Sequence, residues 1–153
     1  MGSMRILALD IATTVGWAVS GGPSGIKSFQ REAKDFGRLG VAFQLWLGGM
    51  IKHHRPGLVA IEAPFMRGPS TYHLMGLCFA AHTVASFHGL PRREVPPRKL
   101  KKFATDNGNA KKPAMVAAVQ AWGFDVTDHN EADAIAVLAW AHAGAGEPIT
   151  PLG

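Results

Sequence analysis

A single cysteine, Cys78, stands in 153 residues, so no disulfide can form within the chain and packing alone must hold the fold. Its setting, Leu77-Cys78-Phe79-Ala80-Ala81, reads as a small buried hydrophobe rather than a reactive thiol. Missing too is any apolar run approaching the roughly 18 residues of a membrane span, and the N-terminus lacks the charged-then-apolar order of a signal peptide. Membrane and secreted classes are set aside, and a soluble intracellular protein is expected. Acids are scarce, 11 against 16 Lys and Arg, giving a net charge of +5. Hydrophobic residues nevertheless make up 47% and charged residues 18%, which excludes the composition of disorder. The expectation is one domain over 4–143, preceded by a cloning remnant over 1–3 and followed by a flexible Gly/Pro-rich tail over 144–153.

The basic excess is concentrated. Arg92, Arg93, Arg98, Lys99, Lys101, Lys102, Lys111 and Lys112 are half of all basic residues, and only Glu94 and Asp106 oppose them between Arg92 and Lys112. Such a patch faces either solvent or a polyanion. Along the chain, Met4 to Leu9 and Gly16 to Val19 read as a hairpin, with a third strand over Ile26 to Gln30. Phe36, Leu39, Gly40, Phe43, Leu47, Met50 and Ile51 recur at helical spacing, predicting a helix from Glu32 to His54. Leu58 to Ile61 is a strand buried on both faces. A helix capped by Ser70 follows to His88, so apolar that it must be buried or paired. Pro91 to Val95 supplies a fifth strand, and helices are predicted over 98–105, 111–122 and from about Asp128 to His142. Trp17, Trp46, Trp122 and Trp140 lie on apolar faces and are expected in the core. Strands first, then strands alternating with helices, argue a mixed-sheet α/β layer architecture.

Three acids stand out within this pattern. Asp10 and Glu62 each end an apolar strand, at the sheet edge where ligands bind in open α/β folds. Carboxylates brought together there repel one another unless a cation neutralises them, and hard divalent ions with oxygen ligands meet that need. Asp133 interrupts an otherwise small, apolar helix, where an acid needs a partner. His129 and Asn130 precede it by four and three residues and share its face. Asp128 is more naturally the N-cap of that helix, and Glu131 should face away into solvent. Any one of these acids alone reads equally well as a strand-end or capping residue.

Taken in order, these parts resemble the RuvC-type Holliday junction resolvases. The carriers are Asp10 with Gly16-Trp17-Ala18, then Ile61-Glu62-Ala63-Pro64-Phe65, then Arg98-Lys99-Leu100-Lys101-Lys102 with Gly108-Asn109-Ala110-Lys111-Lys112, then Glu131-Ala132-Asp133-Ala134. The resemblance implies an α/β, RNase H-like mixed five-stranded sheet flanked by helices, a homodimer, and an endonuclease that nicks branched DNA near the crossover. It implies two divalent ions, Mg²⁺ or Mn²⁺, held by Asp10, Glu62 and Asp133. Four-way junctions are the implied partner, with flaps and Y-forks beside them. Arg98, Lys99, Lys101, Lys102, Lys111 and Lys112 would hold the DNA backbone, and Phe65 would stack on bases at the opened junction, unless it simply packs. Two departures from the cellular enzymes stand out. Ile11-Ala12-Thr13 follows Asp10 where they have Pro-Gly, and Asn130 stands where they carry an Asp or His. The fourth ligand is therefore open between Asn130, Asp128 and His129, and Asn-Glu-Ala-Asp-Ala is closer to the RuvC-like proteins of bacteriophages and prophages. A branched-DNA-binding protein without catalysis is the alternative that Asn130 allows. The run Asp10 to Gly16 is also similar to the phosphate hairpin of actin-like ATPases, but the chain is too short for their two lobes.

Overall fold

A computed structural model describes residues 4–64, 68 and 71–144. Its centre is β1 (Ile6–Asp10), buried at every position because both neighbours and both faces cover it. Strand β2 (Thr14–Val19) pairs antiparallel to β1, and β3 (Ser24–Ser28) antiparallel to β2. On the other side β4 (Leu58–Glu62) and β5 (Arg92–Val95) run parallel, giving the order β3-β2-β1-β4-β5.

Period-two alternation divides the side chains of β1 between two layers. Leu7 and Leu9 pack with α1 (Phe36–His54) and α2 (Thr71–Phe87), while Ile6 and Ala8 pack with α3 (Pro97–Thr105), α4 (Lys112–Ala121) and α5 (His129–Gly144). Helices on both faces explain why β1 and β4 read as unbroken apolar runs. The buried stripe of α1 is Leu39, Phe43, Leu47 and Ile51, one residue per turn.

Two boundaries move from their expected places. The helix expected from Glu32 is a 3-10 turn over Glu32–Lys34, and α1 starts only after Asp35, whose carboxylate accepts from the Arg38 amide at 3.1 Å. Asp is the stronger N-cap, so the helix restarts there. The third strand lies two residues earlier than expected. Gly21, at φ 59°, makes the hairpin tight, so Ala18 already pairs with Ser24, and Phe29 turns into the core instead of extending the strand. The four tryptophans are half-buried at the margins of the two core layers rather than inside them. The predicted cap Ser70 lies outside the described residues. Among the described residues, no helix is long and apolar enough to cross a membrane.

The helix α2 settles the choice between buried and paired in both directions. Leu77, Cys78, Ala80, Ala81, Val84 and Ala85 are buried, but Tyr72, Met75, Phe79 and Phe87 stand exposed, Phe79 at 76% and Phe87 at 87%.

Candidate metal centre

The parallel pairing of β1 with β4 sets Asp10 directly beside Glu62. Both side chains fall on the sheet face covered by α5, since they alternate in phase with Ile6, Ala8, Leu58 and Ala60 of that layer. Small residues let α5 lie close against β1 and β2, and they bring Asp133, in its second turn, over the same strand ends. Ligand oxygens of Asp10, Glu62 and Asp133 lie within 4.8 Å of one another.

The approach of α5 depends on Gly16 of β2. A Cβ there would sit 1.9 Å from the carbonyl oxygen of Asn130, at the start of the helix. No side chain other than hydrogen fits. Ser24 adds a tie from β3, its hydroxyl donating to Glu131 at 2.6 Å. Glu131 is therefore half-buried and hydrogen-bonded, where the sequence suggested a solvated residue.

Electrostatics at the three acids is unfavourable without a cation. Burial first, then the charges of Glu62 and Asp133, holds the Asp10 carboxyl well above the ordinary carboxylate range. Burial and Asp133 push Glu62 up to about 8, and burial pushes Asp133 up to about 6. One oxygen of Asp133, Oδ1, is buried and has no hydrogen-bond partner. A buried acceptor left without a donor is destabilising by about 1–3 kcal/mol. A hard divalent cation removes both penalties, and the set of three carboxylates fits Mg²⁺ or Mn²⁺.

Two lysines also act here. Lys101 of α3 lowers the pKa of Glu62 and Asp133, and Lys112 at the start of α4 lowers that of Asp10 and Asp133. The sequence assigned both to the DNA backbone, with nothing to separate them from their neighbours. Arg98 is committed to Asn109 Oδ1 at 2.7 Å, tying α3 to the turn before α4, while Lys99, Lys102 and Lys111 are exposed.

At the start of α5, Asp128 Oδ1 accepts from the amides of Asn130 (2.8 Å) and Glu131 (3.0 Å), which is N-cap geometry. Its charge also raises Asp10 and Asp133. His129 lines a groove with Lys112, Pro113, Val116 and Gln120. Phe65 lies outside the described residues. In the sequence Gly16 belongs to the Gly16-Trp17-Ala18 part of the resemblance with no packing role assigned to it; the signal for that role was a glycine inside a strand, which marks a close backbone approach.

A five-stranded mixed sheet of this order, with carboxylates at the ends of its two central parallel strands and a third acid on the covering helix, is the RNase H-like fold. Solved structures share this fold. Thermus thermophilus RuvC matches with a TM-score of 0.75 at 19% identity, covering 95% of this chain and 99% of that one. The structure of T. thermophilus RuvC in complex with a Holliday junction substrate matches at 0.74 and 17% identity, covering 96% and 99%. The yeast mitochondrial Holliday junction resolvase Ydc2 matches at 0.58 and 9% identity, covering 88% and 77%. No protein-family model and no curated protein sequence matches the chain.

Proposed function

We propose that the chain is a divalent-metal-dependent endonuclease that nicks branched DNA, four-way junctions first among its substrates, near the crossover. The observation that carries this reading is the buried cluster of Asp10, Glu62 and Asp133, with one Asp133 oxygen lacking a donor. The likeness to a resolvase solved with a Holliday junction supplies the substrate class. A protein kept only for binding DNA would gain nothing from three mutually repelling buried acids; a cation site explains all three.

Asp10, Glu62 and Asp133 would hold two divalent ions, with a fourth contact from Asn130, Asp128 or His129. Such ions, when bound, supply a lowered pKa for the attacking water and a counter-charge for the departing oxygen. The chain's own groups do the rest. Lys101 and Lys112 favour the charged form of the acids, and their position beside the cluster lets them neutralise a phosphate brought to it. Lys99, Lys102 and Lys111, with Arg98 and Phe65, would hold the flanking DNA. The product is a 5′-phosphorylated nick.

Paired incisions across a junction call for two active sites, and the exposed stripe of Tyr72, Met75, Phe79 and Phe87 on α2 is the face we assign to a homodimer. The site of action is the cytoplasm. The test is incubation of end-labelled four-way junctions, flaps and Y-forks with the protein in Mg²⁺ or Mn²⁺. Cleavage should be lost, by about 10³-fold or more, in Asp10→Asn, Glu62→Gln and Asp133→Asn, while junction binding persists. Full activity in any of the three removes that residue from the site.

A further inference from the structure

The opposite face of the sheet holds a second cluster of ligand-bearing side chains. Cys78 and His82 are one turn apart on α2 and share a face, and Glu94 reaches them from β5. His82 Nε2 lies 2.6 Å and Cys78 Sγ 3.3 Å from Glu94 Oε1, and ligand atoms of all three residues lie within 4.8 Å of one another. Glu94 pairs in register with Ile61, whose side chain packs in the α1–α2 layer, whereas Glu62 one residue on faces α5. The sheet therefore separates this cluster from the three acids.

We propose that Cys78, His82 and Glu94 form a second cation site, one for Zn²⁺. The donor set decides the metal: one sulfur, one imidazole nitrogen and one carboxylate oxygen suit a borderline-soft tetrahedral ion and not Mg²⁺. Bonds of about 2.0–2.3 Å place tetrahedral ligand atoms roughly 3.3–3.8 Å apart. The Cys78–Glu94 separation already fits, and the His82–Glu94 pair opens by about an ångström as its hydrogen bond is replaced. Cys78 is buried, while the His82 and Glu94 side chains are 36% and 40% exposed. The ion enters from that wet side and keeps a water in the fourth position. On binding, the thiol proton passes to solvent, the neutral His82 ring carries its hydrogen on Nδ1 so that Nε2 is free for the ion, and nothing is oxidised. The ion joins α2 to β5. Phe79, next to Cys78, belongs to the exposed apolar stripe, so the site fixes the helix that presents that stripe.

Cobalt tests this cleanly, because Cys78 is the only cysteine and any thiolate-to-Co²⁺ charge-transfer band must come from it. Titration of chelator-treated protein with Co²⁺ should give a near-ultraviolet band that saturates at one equivalent and is displaced by Zn²⁺. The band should vanish in Cys78→Ser. His82→Gln and Glu94→Gln, at partly exposed positions where folding is safe, should each weaken Co²⁺ affinity by about tenfold or more. Asp133→Asn should leave the band in place, so that failure here and failure of the nuclease reading are told apart. Absence of a band in the native protein, or a band of unchanged affinity in His82→Gln and Glu94→Gln, overturns the proposal.

Discussion

Gly16→Ala is the substitution that most directly tests how the fold builds the metal centre. The added methyl would lie 1.9 Å from the Asn130 carbonyl oxygen and 2.4 Å from its carbon. Both partners are backbone in regular elements, so no rotamer change relieves the overlap. The first turn of α5 must move off β2 by about an ångström or more. Asp133 lies one turn along the same helix and moves with it, while Asp10 and Glu62 stay on the sheet. A misplacement of that size in a catalytic site lowers rate by about 10²-fold, and overpacking of this kind is destabilising by about 1–3 kcal/mol. Single-turnover cleavage of a four-way junction in Mg²⁺ should therefore fall by about two orders of magnitude, with junction affinity kept and the melting midpoint lowered by several degrees. Gly49→Ala is the control. It lies on the exposed side of α1, where a Cβ meets nothing within 4 Å, and it should leave cleavage intact while stabilising the helix by up to about 1 kcal/mol. A Gly16→Ala protein that cleaves within about twofold of the native rate would refute the argument that this contact positions Asp133.

The remaining predictions concern charge. Glu62 keeps its proton up to about pH 8 when folded but releases it near 4.5 when unfolded, so the metal-free folded state binds more protons across that window. Its stability should fall as pH rises through the window, by a few kcal/mol in all; Glu62→Gln should remove most of the slope and saturating Mg²⁺ should flatten it, both read by denaturant titration. A metal-free protein whose stability rises between pH 5 and 8 would contradict the assigned shifts. Lys101→Ala and Lys112→Ala should lower divalent-ion affinity and cleavage more than DNA binding, whereas Lys99→Ala and Lys102→Ala should weaken binding and reduce its salt slope by about one each, measured by titration at several salt concentrations. At the start of α5, Asn130→Asp should retain or raise cleavage in Mg²⁺ by adding a carboxylate, and Asn130→Ala should lower it. His129→Ala should matter only if imidazole is the ligand, with a larger effect in Mn²⁺ than in Mg²⁺, and Asp128→Ala should remove a cap worth about 1 kcal/mol; rates of the four variants in both metals separate the candidates.

Much of this architecture is legible along the chain because local and tertiary demands agree. Ile6 to Leu9 and Leu58 to Ile61 are continuously apolar, and each is followed by an acid; burial on both faces accounts for the runs, and the acids mark the strand ends where the site lies. The one-per-turn stripe of Leu39, Phe43, Leu47 and Ile51 is equally plain. The edge strand β3 is not, since its residues are largely exposed and its place is set by pairing with β2 rather than by burial. Convergence across the chain is likewise hidden. Lys101 and Lys112 differ from Lys99 and Lys102 only in which way α3 and α4 turn them once packed. Cys78, His82 and Glu94 combine a helix with a strand and follow no Cys-x-x-Cys spacing, so the cysteine alone reads as core.

The acids were legible for the opposite reason, that they break the local rule. A folded core rejects carboxylates, and a chain that places Asp10 and Glu62 on buried strands and Asp133 on a buried helix face adopts an unfavourable arrangement of charge. Packing does not require this, since the neutral amides Asn and Gln have nearly the same shape and volume as Asp and Glu. The charge is retained against stability, which is what a cation site demands of its ligands, so Asp10→Asn should melt at a higher temperature than the native protein in chelator and lose that advantage in Mg²⁺. An Asp10→Asn variant that melts lower under both conditions would assign the residue to the scaffold instead.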